Sequence, residues 1–274
     1  MILAFLLSTT TAFTLPLNNP TQASLISEGI FSDPSCDKWF DFCNLFEVRT
    51  GFYGDYIFNT HMKVKSSDAT ISVLSVNTSA GIIGVNVCNV LDIYGVLGAA
   101  KIKLETTSLV IRQAGNSLLT DQFFVTDSRF AWSVGARASI FEACGFDIGL
   151  EGQYYSTRPH LNIGHNPIRY FNDVSMKYRS WQVGLGLAYA IPITECFGFS
   201  PYVGVFWLDS RLSTGNYTYR VPGVQTRRLY DLQKDGQVGW AFGTTLIGGQ
   251  HVTITAEGRW IGESAVFVTG EIQF

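Results

Sequence analysis

Four histidines, His61, His160, His165 and His251, are the side chains of this sequence best suited to holding a metal or moving a proton. Two of them bracket the stretch HLNIGH, five positions apart. Neither helical nor strand spacing puts both imidazoles of such a pair on one face, so it does not read as a metal site. A serine hydrolase would need a hydroxyl activated by a histidine, and neither G-x-S-x-G nor any other persuasive serine context occurs. The glycines of GLGLAYA fall inside an alternating stretch, not in a strand-to-helix loop, which argues against a nucleotide fingerprint. The expectation is therefore no enzyme, no metal and no cofactor. Five cysteines remain: Cys36, Cys43, Cys88, Cys144 and Cys196. There is no C-x-x-C, and zinc would want closer pairs with histidines nearby. Oxidation to disulfides is the chemistry left to them, against the plainer role of small buried hydrophobes.

Composition limits what could position such residues. The chain has 274 residues and a formal net charge of -3, with no basic run, so nothing points to nucleic acid. Charged residues make up 15%, against about 25% in soluble domains. Aromatics reach 14% and there are 27 glycines. No interior run of about 18 apolar residues offers a spanning helix. Few charges, many aromatics and no spanning helix together suit an outer-membrane β-barrel. The opening MILAFLLSTTTAFT reads as the end of a secretory signal peptide over 1–14, cut after Thr14, although it lacks a basic n-region. Residues 15–44 read as an irregular periplasmic N-terminal segment and 45–274 as the barrel.

Ten stretches alternate apolar and polar with period two: 45–58, 80–88, 90–103, 129–141, 145–156, 178–191, 197–209, 235–248, 251–261 and 265–274. In RFAWSVGARASI, Phe130, Trp132, Val134, Ala136, Ala138 and Ile140 share one face, opposite Arg129, Ser133, Gly135, Arg137 and Ser139. In SAVFVTGEIQF, Val266, Val268, Ile272 and Phe274 oppose Thr269, Glu271 and Gln273, while Phe267 breaks the rule. A soluble sandwich could alternate in the same way. The rhythm of the connections favours a barrel: 59–79, 104–128, 157–177 and 209–235 are long, and the links between them are short, as in bacterial barrels. Further candidate strands at 68–77, 108–115 and 225–232 raise the expected count to about twelve antiparallel strands, with ten to sixteen allowed and both termini periplasmic. On this topology all five cysteines fall in the N-terminal segment or at periplasmic turns. The charged side chains expected inside are Arg49, Asp55, Arg137, Asp147, Glu151, Glu257 and Arg259. Facing lipid, an Arg or Lys would cost on the order of 2–4 kcal/mol at the midplane. Inside, they either set ion selectivity or brace the wall as cross-strand pairs. On the first reading Arg137→Glu changes selectivity and leaves folding largely intact.

The blocks PSCDKWFDFCNLFEVRTGFYGDYIFN (34–59), SAGIIGVNVCNVLDIYGVLGAA (79–100), FAWSVGARASIFEACGFDIGLEGQYYSTRP (130–159), SWQVGLGLAYAI (180–191), FSPYVGVFW (199–207) and GWAFGTTLIGGQHVTITAEGRWIGESAVFVTGEIQF (239–274) resemble the chlamydial major outer membrane protein family of porins. LPLNNPTQASLISEGIF is similar to the mature start of that family. The resemblance implies a cysteine-rich homotrimeric barrel in the outer membrane of a Gram-negative-type bacterium. It further implies that small hydrophilic solutes and ions diffuse through it, and that disulfides, whether within the barrel, to sister subunits or to periplasmic proteins, help stiffen the envelope. Cys36, Cys43 and Cys144 sit in blocks where the family also carries cysteines. The chain departs from the family in being shorter and in having fewer cysteines. The expected partners are outer-membrane lipid, small solutes, sister subunits and disulfide-linked envelope proteins. The alternative is a structural or adhesive barrel with a plugged lumen and no open channel.

Overall fold

Alternating side chains leave a strand one apolar and one polar face, and a sheet in lipid must leave no backbone group unpaired. The computed structural model shows how this chain meets both demands. It describes residues 16–19, 46–64, 67–88, 90–106, 110–113, 116–119, 122–162, 175–194, 197–214, 218–219, 227–228, 231–249, 251–260 and 264–274. Ten strands form one closed ring: β1 (Phe46–Val64), β2 (Ser67–Val87), β3 (Leu91–Thr106), β4 (Arg129–Ala143), β5 (Phe146–Thr157), β6 (Lys177–Tyr189), β7 (Phe197–Ser213), β8 (Leu232–Gly248), β9 (Val252–Trp260) and β10 (Ser264–Gln273). Each pairs antiparallel with the next in sequence. β10 returns to β1, from Arg49↔Gln273 to Asn59↔Ser264. Past that register, the Phe274 amide donates to the Val48 carbonyl at 2.8 Å. The ring has no free edge.

The outer wall is apolar. Leu97, Val134, Leu150, Leu185, Phe242 and Ile254 are among the large hydrophobic side chains that it exposes. Aromatic rings border it at both ends. At one end Trp132 lies 5.5 Å from Tyr154, and Trp181 4.7 Å from Trp207, ring centre to ring centre. At the other, Phe146 and Tyr189 are 4.6 Å apart. Rings that are apolar with a polar edge favour the headgroup depth. The inner wall is polar over its middle and its short-turn end. Phe267, the exception to its strand's pattern, points inward, fully buried, and meets Tyr53 edge-on at 5.2 Å.

The ring closes at ten strands, the lower limit of the expected range rather than its centre. The candidate at 68–77 is not a strand of its own but the first half of β2. It pairs with the upper part of β1, and its later residues also pair with the top of β3. The expected long connection at 59–79 is therefore two strand arms, with only residues 65–66 between them. The candidate at 108–115 overlaps a hairpin, Val110–Gln113 with Asn116–Leu119, off the ring. That at 225–232 holds the pair Arg227–Arg228, bonded to Thr218–Tyr219, and the first residue of β8. β1 and β2 run to 19 and 21 residues, where about 9–11 span a membrane. β9 and β10 have only 9 and 10. Above this short hairpin the tips of β1 and β8 pair directly, Lys63↔Gln233 and Val64↔Leu232.

The outward position of Leu185, midway along β6 between Leu150 and Val205, makes it a test of the wall. Leu185→Arg lowers stability by about 2–4 kcal/mol in lipid vesicles, read by guanidinium unfolding, while Leu185→Met changes it little.

Candidate functional site

The interior is built at three levels. Nearest the short-turn end, β1 supplies Arg49, β3 supplies Asp92 and Tyr94, β4 Arg137, β5 Glu151 and β10 Glu271. All are buried, between 1% and 3% exposed. Arg49 donates through its two terminal nitrogens to Asp92 and to Glu271. Arg137 Nε lies 2.9 Å from Asp92 and its Nη2 lies 3.8 Å from Glu271. The Arg137 guanidinium stacks over the Tyr94 ring, 4.8 Å from its centre, and the Tyr94 hydroxyl donates to Glu151. Two arginines thus face three carboxylates across the lumen. Asp147, also buried, accepts from Ser139 Oγ at 2.7 Å.

At mid-height Arg259 donates to Asp55 and lies 3.5 Å from Glu257. Tyr202 donates to the other Glu257 oxygen at 2.8 Å. Here the chain itself enters the lumen. Residues 16–19 are buried between the walls, with Leu17 and Asn19 both 0% exposed. The Leu17 amide donates to Glu257 at 3.0 Å. Asn19 Nδ2 donates to Ser200 at 3.3 Å and to Thr245 at 3.2 Å. Of the segment 15–44 expected beyond the barrel, these four residues lie inside it, because the interior offers both acceptors and a fitted space. The rest of that segment, residues 1–14, and Cys36, Cys43 and Cys196 lie outside the described residues.

Small residues make that space. A Cβ on Gly184 or on Gly204 would collide with the Leu17 methyls, so the two glycines on adjacent strands form a notch for one leucine. Gly84 leaves room for the Arg49 stem, Gly135 for the Tyr94 ring and Gly243 for Tyr202. Towards the long-connection end the interior turns apolar: Met62, Leu74, Ile102, Leu104, Leu208 and Leu212 are buried together.

Each of Arg49, Asp55, Arg137, Asp147, Glu151, Glu257 and Arg259 is therefore placed on the inner face and buried. Six of them fall into two ion-paired clusters rather than one ring, and Asp147 is held by the Ser139 hydroxyl. Asp92, Glu271, Tyr94 and Tyr202 complete those clusters and were not singled out from the sequence. Glu271 shares the phase of Thr269 and Gln273, which was signal enough. Asp92 and Tyr94 share the inward phase of β3. Leu17 and Asn19 carry no periodic signal at all. Against the expectation that Arg137→Glu spares folding, a carboxylate there would join Asp92, Glu151 and Glu271 with one arginine left to oppose them. Cys88 and Cys144, expected at turns of one end, occupy the turns β2–β3 and β4–β5 with exposed, unbridged thiols. Both have positive φ, 54° and 53°, a left-handed conformation uncommon for a residue with a Cβ.

Residues 1–81 and 86–170 match the family model described as Chlamydia major outer membrane protein. The chain is 24% identical over 398 aligned positions to the major outer membrane porin, serovar L3, of Chlamydia trachomatis, covering 100% of this chain and 98% of that one. It is 23% identical over 373 positions to the major outer membrane porin of Chlamydia abortus, covering 95% and 94%. Among solved structures, the β domain of the Bordetella autotransporter BrkA is similar at 11% identity and a TM-score of 0.42, covering 84% of this chain and 98% of that one. The outer membrane protease OmpT of Escherichia coli is similar at 10% identity and a TM-score of 0.42, covering 84% and 95%. These two likenesses are loose, and the barrel assignment stands on the ladder of pairings above.

Removing one partner of a buried ion cluster strands the others, at a cost of about 3–5 kcal/mol. Arg137→Met is expected to lose that much in guanidinium unfolding followed by tryptophan fluorescence, and Arg137→Glu more. The double variant Arg137→Met/Asp92→Asn loses less than the two single losses added.

Proposed function

Because the chain belongs to the Chlamydia major outer membrane protein family, we propose that it is an outer-membrane porin through which small hydrophilic solutes and ions diffuse, with residues 16–19 as a displaceable strap in its lumen. The observation that carries this reading is the interior itself. Buried charges of both signs and hydroxyls line the middle and the short-turn end of a barrel whose outside is apolar. Such a lining serves water and ions when parted and seals the barrel when closed. Arg49, Asp55, Arg137, Asp147, Glu151, Glu257 and Arg259 are then the residues that passing ions meet, already held in position by one another. The strap is tied by a few hydrogen bonds and one leucine in a notch, whereas every wall strand is held by a full ladder, so the strap is the part that yields.

The packed interior favours a second reading, a structural barrel that never opens. Single-channel recording in planar bilayers separates the two. The native chain is expected to show discrete ohmic steps. Gly204→Ala fills the notch, evicts Leu17 and raises the open probability. No steps from either protein, both migrating as folded on heat-modifiability gels, leaves the plugged structural barrel as the better account.

The same reading assigns a homotrimer joined to its envelope neighbours through cysteine. Cys88 and Cys144 support it: both thiols are exposed at the short-turn end and neither is bridged within the chain. Non-reducing gels of intact envelopes are expected to show reductant-sensitive oligomers that diminish in Cys88→Ser/Cys144→Ser. A monomer alone on those gels counts against cross-linking.

A further inference from the structure

Outside the lumen, the upper rim between β4, β5 and β6 carries a cavity of ≈ 370 Å³ on the outer wall. Phe130, Trp132 and Tyr154 line its apolar side, and Arg158, Lys177 and Arg179 its polar side. No carboxylate lines it. The register makes it a continuous surface: Ser156 pairs with Trp132 on one side and Arg179 on the other, and one step further into the wall Tyr154 pairs with Val134 and Trp181.

Neighbouring arginines have carboxylate partners, Arg129 with Asp127 at 2.6 Å and Arg211 with Asp209 at 3.3 Å. Arg158, Lys177 and Arg179 have no ion-pair partner among the described residues. Three uncompensated cations lining one cavity repel one another unless an anion joins them. Guanidinium groups match phosphate oxygens with paired N–H donors. The depth of the cavity also matters. It sits at the level of the Trp132–Tyr154 girdle, where polar headgroups meet acyl chains. Directly below it the outer wall offers exposed Val134, Leu150 and Val183. It lies at the end of the long connections, which in bacterial barrels faces outward.

We propose that this rim cavity binds the phosphorylated headgroup of an outer-leaflet glycolipid. Arg158, Lys177 and Arg179 hold the phosphate. Phe130, Trp132 and Tyr154 pack on the sugar and the first acyl carbons, and the acyl chain follows the apolar wall below. A membrane lipid, and not a free anion, is the occupant because the cations share the cavity with lipid-facing aromatics and continue into the lipid-facing wall.

The test uses the full chain folded in detergent, with bisphosphorylated lipid A as the probe and native mass spectrometry as the readout. The native protein is expected to retain the lipid, less so as salt rises. Arg158→Gln/Lys177→Gln/Arg179→Gln binds it about tenfold more weakly, the scale of one or two lost charge-assisted hydrogen bonds. Lys101→Gln/Lys103→Gln, which removes two outward cations elsewhere on the wall, binds as the native protein does. Arg158→Gln alone, a change at an exposed position past the end of β5, gives a partial loss and serves if the triple variant misfolds. Equal binding by the triple variant, or by the native protein to dephosphorylated lipid A, overturns the proposal. So does displacement of the lipid by inorganic phosphate at similar concentration, which makes this a free-anion site. A triple variant that keeps the lipid but loses self-association assigns the cavity to a second copy of the chain and overturns it as well.

Discussion

The hydrocarbon of a bilayer offers no water to a peptide group, and that single constraint organises this molecule. Every backbone donor at membrane depth must find a carbonyl within the chain. A sheet can do so only by meeting its own first strand, and here β10 does so along β1 from Arg49↔Gln273 upward. Once the sheet is a cylinder, the two faces of every strand acquire different solvents. The apolar sets around Leu185 and Ile254 go to lipid and the polar sets around Arg137 and Glu257 go inward.

Strand number then fixes what the inside can be. About eight strands leave room for side chains only, and 16–18 leave an aqueous channel. Ten lie close to the first case, so the interior is a packing problem as much as a passage. The solution is uneven in size: Arg49, Tyr94 and Tyr202 lie over the adjacent strand because their partners there are Gly84, Gly135 and Gly243. The charges are held the same way. Sealed from water, each arginine needs a carboxylate at hand, and the two clusters supply them. The strap of residues 16–19 fills what the side chains leave on the far side, against β6, β7 and β8. Its bonds to Glu257, Ser200 and Thr245 satisfy groups that would otherwise face an empty lumen.

Much of this was legible in the sequence, for a reason specific to membrane barrels: alternation is enforced at every residue by two different solvents. The ten stretches, the inward phase of Arg137 and Glu151 and the short turns at Cys88 and Cys144 all follow from it. Alternation does not say where one strand stops and another starts when only two residues separate them, which is why 68–77 reads as a separate strand and not as the first half of β2. Nor does it give partners across a lumen. Arg49 meets Asp92 and Glu271 because of stagger between strands that are not all neighbours. The four residues that enter the lumen make contacts with residues 181 and 226 positions away and show no period. Geometry in three dimensions put them there.

One feature of the interior bears on how the barrel comes into being. Arg49 and Glu271 are 222 positions apart, on the first and last strands of the ring. β1 to β5 precede Glu271 in the chain and already hold Arg49 and Arg137 with Asp92 and Glu151, two cations with two carboxylates. Glu271 arrives only with the final strand. Until then one terminal nitrogen of Arg49 lacks its acceptor, which is costly wherever water is excluded. Closure supplies the missing carboxylate and the last backbone ladder in one event. Contacts of such long sequence separation form late and slowly, and this one is complete only when the circle is.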